Sequence, residues 1–148
     1  TEEKGEAGSR IRERGHEYGT VTGRPRRCGW FDAVAARYSA RINGVDSVAL
    51  TLLDVLDAFE EIKVCTGYTS ASGRIDRFPL TAEAVSRCEP VYEEWPGWQE
   101  ELDSVREYAD LPANARSYIS RIAALLETPI TRISVGPKRH QILDLPQS

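Results

Sequence analysis

Three short stretches of this 148-residue chain carry residue types that could hold an anionic ligand. The first is Gly19-Thr20-Val21-Thr22-Gly23-Arg24-Pro25-Arg26-Arg27. Its glycines let backbone N–H groups approach a ligand, Thr20 and Thr22 add hydroxyls, and Arg24, Arg26 and Arg27 place three cations within four residues. Such a cluster repels itself unless anions offset it, and each charge-assisted hydrogen bond to a carboxylate or phosphate returns roughly 1.5–3 kcal/mol. A solvated basic loop, or arginines paired with acids such as Glu17 and Asp32, accounts for the same pattern equally well. The second stretch centres on Asp54, directly after the apolar run Val48–Leu53. Open α/β sheets bind ligands beyond the carboxyl ends of their strands, and a carboxylate there can accept the parallel N1–H and N2–H₂ donors of a guanine edge. Capping of a turn or helix that starts at Val55 is the competing role, and local sequence favours it because Asp is a leading N-cap residue. The third is Ser134-Val135-Gly136-Pro137-Lys138-Arg139, which a strand-ending turn also explains if it stands alone.

Other chemistries find little support. No GxxxxGK[ST] phosphate loop is present. The two histidines, His16 and His140, have no convincing nucleophile partner, and Cys28 beside basic residues is at most a weak reactive-thiol candidate. Cys28, Cys65 and Cys88 are odd in number and widely spaced, which offers no zinc pattern and reads as a reduced, cytoplasmic chain. Trp30, Trp95 and Trp98 read as core or loop anchors rather than a base-stacking platform. A net charge of −4 and a pI of about 5.3 argue against a non-specific nucleic-acid binder. The balance of 41% apolar and 28% charged residues is that of a soluble globular chain. No apolar run reaches the ~20 residues of a membrane span, and no secretory leader is visible. Arginine outnumbers lysine sixteen to three; guanidinium suits oxyanions, codon bias explains a global excess, and only the placement of particular arginines decides. The absence of Met and the opening Thr1-Glu2-Glu3-Lys4 read as a fragment.

The elements that must position these loops follow from periodicity. Residues 3–15, mostly charged with Ile11 as the one large apolar side chain, predict a short solvated helix interrupted by Gly5 and Gly8. Phe31, Val34, Ala35, Tyr38 and Ile42 follow helical spacing, and Asn43-Gly44 stops that helix. Val48–Leu53 predicts a strand buried on both faces. Ile62, Val64, Thr66 and Tyr68 predict a half-buried strand, and Ser70-Ala71-Ser72-Gly73 a hairpin turn into a strand over Arg74–Phe78. Thr81–Arg87 predicts one or two helical turns and Pro90–Glu94 a short strand. Pro112 opens a helix whose stripe is Ala115, Tyr118, Ile119, Ile122, Leu125 and Leu126, closed by Thr128-Pro129. Ile130–Val135 and Gln141–Leu145 complete the strands. The class is α/β, a mixed and mostly parallel sheet flanked by helices with an antiparallel hairpin, and residues 1–148 read as one unit without an internal boundary.

In order and spacing, the stretch from Glu17 to Asp32 together with Leu53-Asp54-Val55-Leu56-Asp57, Pro96-Gly97-Trp98, Leu111-Pro112-Ala113-Asn114-Ala115 and Ser134-Val135-Gly136-Pro137 resembles the adenylosuccinate synthetase family. The similarity runs over essentially the whole chain and corresponds to the C-terminal third of that family's proteins, which have a P-loop NTPase-like fold. The resemblance implies a GTP-dependent ligase that joins L-aspartate to IMP, giving adenylosuccinate, GDP and phosphate. It implies that Thr20, Val21, Thr22, Gly23, Arg24, Pro25 and Arg26 form the mobile loop over aspartate and IMP. Arg26, Leu52, Leu53, Asp54, Ser134, Val135 and Gly136 would belong to the GTP site. Catalytic residues and Mg²⁺ ligands are expected outside this chain, in the missing N-terminal part, so the fragment alone is expected to be inactive. A cytoplasmic homodimer without nucleic-acid or membrane partners is implied, and the alternative is a non-catalytic nucleotide- or anion-binding module on the same scaffold. Two departures stand out: Leu52 replaces a frequent lysine, and Val21 replaces a frequent threonine.

Overall fold

The computed structural model describes residues 1–71 and 73–146. The elements are α1 (Glu6–Arg14), β1 (Phe31–Asp32), α2 (Ala33–Asn43), β2 (Val48–Leu50), β3 (Glu61–Ser70), β4 (Gly73–Ile75), α3 (Ala82–Ser86), β5 (Glu89–Pro96), α4 (Ala113–Leu126), β6 (Ile130–Ser134) and β7 (Ile142–Asp144). Short 3₁₀ turns lie at Leu53–Leu56, Tyr108–Asp110 and Arg139–Gln141.

The α/β class and the mixed pairing hold, but the strands divide between two sheets. In one, β3 is central: β5 runs antiparallel along one edge, while β1 (parallel) and β4 (antiparallel) share the other. In the other, β6 pairs in parallel with β2 and antiparallel with β7. Three of the five pairings are therefore antiparallel, so parallel pairing does not predominate among the described residues. Connection length explains this: β6 and β7 are joined by a turn too short for a parallel crossover.

Helical periodicity places both α2 and α4, but the α2 stripe is only partly as expected: Val34 is buried, whereas Ile42 is 63% exposed and Arg37, expected on the opposite face, donates to the Leu125 carbonyl of α4. Helix α2 begins two residues later than the spacing of Phe31 suggests, because Phe31 and Asp32 pair with Val64 and Cys65 of β3. Asp32 then caps the helix, accepting from the Ala35 N–H at 2.9 Å, and also accepts from the Tyr68 hydroxyl. It ends at Gly44 as expected. Helix α4 buries Ala115, Tyr118, Ile119, Ile122 and Leu126, and these join Leu53, Ile62, Val64, Ile130, Ile133, Val135 and Leu143 in one core. Both sheets thus share α4. Trp30 and Trp98 are core residues, and Trp95 packs at its margin.

Three expectations need correction. Strand β2 stops at Leu50 and is only half-buried, because β6 is its one partner among the described residues; at Leu52 the backbone turns to φ 64° and leaves the sheet. In β3 the register slips between Cys65 and Gly67. That bulge turns Cys65 inward, fully buried with Val34 and Tyr68 on the opposite face, and leaves Thr66 only partly covered. Strand β4 ends at Ile75 rather than Phe78, with the Asp76 carbonyl accepting from the Arg37 guanidinium at 3.0 Å. Ser72 of the expected hairpin turn lies outside the described residues.

The 3₁₀ turn at Leu53–Leu56 is tied into the core by Asp57. Its carboxylate, 7% exposed, accepts from Trp98 Nε1 at 2.8 Å and from the Leu102 N–H at 3.1 Å. Replacing it by alanine strands two buried donors, each costing about 1–3 kcal/mol. Asp57→Ala should therefore lower stability by about 2–4 kcal/mol in urea unfolding of the full-length protein; an unchanged midpoint would reject this anchoring role.

Candidate functional site

Residues 17–26 form a closed loop rather than an open tail. Tyr18 and Pro25 make an antiparallel bridge. The Arg26 N–H donates to the Glu17 carbonyl at 2.9 Å, Gly19 N–H to the Arg24 carbonyl at 2.8 Å, and Gly23 N–H to the Gly19 carbonyl at 2.7 Å. Gly23 adopts φ 63°, a conformation glycine reaches without steric cost. The tip from Thr20 to Gly23 faces solvent, with Val21 96% exposed. The arginines divide in their pairing. Arg26 meets Glu17 at 2.9 Å and Arg27 meets Glu2 at 3.6 Å, both with exposed guanidinium groups. Arg24 has no ion pair among the described residues. Asp32, occupied by Ala35 and Tyr68, pairs with none of the three.

The second and third stretches come together because β2 and β6 are parallel neighbours whose chains leave the sheet at the same end. The Leu52 N–H donates to Ser134 Oγ at 2.9 Å. Leu53 and Val135 are in the core, so contributions from these positions come from backbone, and the Val135 N–H is already given to the Gln141 carbonyl at 2.9 Å. Leu52 is 43% exposed at the rim. The capping role for Asp54 is not what the structure holds. Leu52 precedes the turn, and Asp54 Oδ1 is buried without a hydrogen-bond partner among the described residues. Desolvation pushes the Asp54 carboxyl above the usual carboxylate range, opposed by its own backbone N–H and by Arg14. Asp54, Asp57, Arg14, Glu101 and Asp103 line a recess of about 370 Å³.

Sequence reasoning missed the contribution of α1. Its arginines are not simply solvated. Arg12 Nε donates to the Arg26 carbonyl at 2.8 Å; Arg14 Nη2 donates to the Asp54 carbonyl at 2.9 Å, and its Nε to the Val55 carbonyl at 3.1 Å. One helix therefore holds the base of the arginine loop and the Asp54 turn. Between these two lies a cleft of about 420 Å³, walled by Arg26–Phe31 on one side and Leu50–Leu53 on the other. Gln141 and Asp57 were also missed: both are buried polar residues. The tight Gly136 position, where a Cβ would collide with the Gln141 amide, could have signalled the first, and the second aspartate of Asp54-Val55-Leu56-Asp57 the other. Burial pushes the Cys28 thiol up, which speaks against a reactive thiolate. Among the described residues, no group of three His, Cys, Asp or Glu side chains could hold a metal ion, and no helix is long and apolar enough to cross a membrane.

The structure does not bring all of these residues to one cavity: the base of the arginine loop, through Arg26 and Arg27, walls the cleft with Leu50–Leu53, half-buried Asp54 opens to the separate recess with Arg14 and Asp57, and Arg24 lines neither. An α/β segment in which two adjacent strand ends carry an aspartate with one buried, unpartnered oxygen is of the class that places recognition groups at the carboxyl edge of a sheet. Residues 1–143 match the sequence model of one family, and the chain belongs to the adenylosuccinate synthetase family. It is 54% identical over 138 residues to the adenylosuccinate synthetase of Desulforamulus reducens, covering 93% of this chain and 32% of that protein. It is 49% identical over 143 residues to that of Alkaliphilus metalliredigens, covering 97% and 34%. The solved structure of fully ligated adenylosuccinate synthetase from Plasmodium falciparum superposes with a TM-score of 0.93 at 41% identity, over 99% of this chain and 35% of that one. The chain spans about a third of the length of these relatives.

The Leu52–Ser134 link joins the two strand ends directly. Ser134→Ala removes the acceptor at a point where Leu52 already sits at positive φ, so stability should fall by about 1 kcal/mol. Hydrogen exchange should quicken at Leu52 and Leu53 while α4 stays protected; unchanged exchange at those amides would show that the link holds nothing in place.

Proposed function

We propose that the protein carrying this segment ligates L-aspartate to IMP with GTP, releasing adenylosuccinate, GDP and phosphate. In this reading the γ-phosphate of GTP activates the 6-oxygen of IMP, and the aspartate amino group then displaces phosphate. The segment supplies recognition rather than the reacting groups. The loop Thr20–Arg26 closes over aspartate, Thr22 and Arg24 meet its carboxylates, and Arg24 also lies near the IMP ribose. Arg26 faces both aspartate and GTP, Asp54 accepts from guanine N1–H and N2–H₂, and Ser134 with Gly136 lines the base pocket. Closure of the loop excludes water from a phosphorylated intermediate. Mg²⁺, when bound, neutralises phosphate charge; its ligands and the catalytic acid and base are assigned to the rest of the protein, which functions as a cytoplasmic homodimer.

The observation that carries this reading is Asp54 Oδ1, a buried acceptor with no partner among the described residues. Leaving such a group unpaired costs about 1–3 kcal/mol, more when it is charged, and a guanine edge supplies the missing donors. Leu52 offers no cation beside it, so base selection rests on the carboxylate. The unpaired, exposed Arg24 gives parallel support, since a dicarboxylate removes the self-repulsion that Glu17 and Glu2 offset only for its neighbours.

Two tests follow from these residues. In the full-length protein, Asp54→Asn should raise the KM for GTP roughly 10- to 100-fold and favour XTP, whose N1–H and 2-oxo group match a carboxamide. Because the Asp54 carboxyl is raised by desolvation and must be ionised to accept, kcat/KM for GTP should fall with decreasing pH through a range above that of an ordinary aspartate, and Asp54→Asn should abolish that inflection. An unaltered GTP KM in a folded Asp54→Asn protein would reject the base-site assignment. Arg24→Leu should raise the KM for aspartate at least tenfold with no loss of thermal stability, because no protein partner is lost; unchanged aspartate kinetics would remove the loop from the site.

A further inference from the structure

We infer that Gln141 is a positioning residue for base recognition, holding the Ser134–Gly136 turn and the Leu102–Asp103 segment at the separation Asp54 needs to read a guanine edge. The inference rests on the base-site reading above. Aromatic and thiol groups aside, Asp57 and Gln141 are the buried polar or charged side chains among the described residues; Asp57 lines the recess that Asp54 opens to, and Gln141 is hydrogen-bonded to Asp103, another residue of its lining. Gln141 is 4% exposed, yet its hydrogen bonds go to loops. Oε1 accepts from the Lys138 N–H at 2.9 Å, Nε2 donates to the Asp103 carbonyl at 3.2 Å, and its backbone carbonyl accepts from Val135.

These contacts close a ring. Asp57 N–H donates to the Asp54 carbonyl, and the Asp57 carboxylate accepts from Leu102. The neighbouring Asp103 accepts from Gln141, Gln141 accepts from Val135, and Ser134 accepts from Leu52, two residues before Asp54. Gln141 is the one member that spans from the Ser134–Gly136 turn to the Asp103 segment. The absence of a side chain at Gly136 leaves the space its amide occupies. A buried polar group whose partners are all loop backbone contributes little that an apolar residue could not supply to a core. What it does supply is a fixed distance between two walls.

The test uses the full-length protein with two variants. Gln141→Met keeps the volume and loses both amide contacts; Gln141→Glu, assayed at a pH high enough to ionise the buried carboxyl, keeps the acceptor for Lys138 and loses the donor to Asp103. Steady-state constants for GTP, ITP, IMP and aspartate would be measured beside thermal unfolding. ITP lacks the 2-amino group, so the ratio of GTP to ITP specificity reads the bidentate contact itself. Both variants are expected to raise the GTP KM roughly three- to tenfold and to lower GTP-over-ITP discrimination by a similar factor, with aspartate KM, IMP KM and kcat preserved. Discrimination equal to that of the unmodified protein, or a common rise in KM for every substrate, would overturn the inference. If Gln141→Met does not fold, Gln141→Glu alone decides. An unmodified protein that shows no preference for GTP over ITP would overturn the base-site reading itself, and this inference with it.

Discussion

The geometry of the site depends on how one short turn divides its carboxylates. Asp54 and Asp57 stand three residues apart on the 3₁₀ turn that follows β2, and both are desolvated enough for burial to raise their carboxyl groups. Asp57 is compensated within the protein by an indole N–H, a backbone N–H and the Arg14 guanidinium 4.0 Å away. Asp54 Oδ1 is not. Burying a carboxylate is tolerable only when donors replace water, so the turn meets that condition once in folding and leaves it unmet once. The satisfied aspartate fixes the turn, and the unsatisfied one is thereby held at a set position instead of relaxing toward solvent.

The arginine loop shows the same division in a high-dielectric setting. Pairing of Arg26 with Glu17 and Arg27 with Glu2 is worth little in stability at exposed positions. It does orient side chains and relieve repulsion on either side of Arg24. The choice between an arginine loop paired to acids and one reserved for a ligand is therefore not exclusive: two guanidinium groups have intramolecular partners and the third has none among the described residues. Elsewhere the arginine excess serves backbone carbonyls. Arg10, Arg12, Arg14, Arg37 and Arg116 all donate to main-chain oxygens at loop and helix ends, a use that suits a planar fork of N–H groups.

Periodicity made the helices legible in extent: α4 buries the expected stripe and Gly44 terminates α2 where the sequence suggests, but α2 buries Ala33, Val34 and Ala40 and leaves Ile42 exposed, because its packing against α4 turns a different face inward. Strands were legible in existence more than in phase. Nothing local to Cys65–Gly67 announces a bulge, because the slip is defined by Val91 and Tyr92 across the sheet. Thr51–Leu53 reads as a strand by composition, and no local signal marks the turn at Leu52. At the site, the loops themselves could be read from glycine, hydroxyl and arginine content. The residues that hold them could not, since Trp98 lies 41 positions from Asp57, Gln141 lies 38 from Asp103, and Arg14 lies 40 from Asp54. Long-range hydrogen bonds to backbone leave no pattern in the sequence near either partner.

Helix α1 illustrates why that matters. Read alone, residues 3–15 are charged and weakly amphipathic, a composition that predicts a solvated segment. In the fold, Arg12 and Arg14 project to different sides of the last turn, as residues two apart on a helix must. One takes the Arg26 carbonyl and the other the Asp54 carbonyl. Arg10 extends the attachment, donating to the Ala58 carbonyl with its guanidinium 4.9 Å from the centre of the Phe59 ring. A rigid helix bound at both places fixes the distance between the arginine loop and the Asp54 turn, while the loop tip beyond Gly19 remains free of it. The base of the loop is thus registered to the Asp54 turn, because both are held by one helix, while the glycine-containing tip carries no such attachment to α1 and its position is not fixed by the same hydrogen bonds.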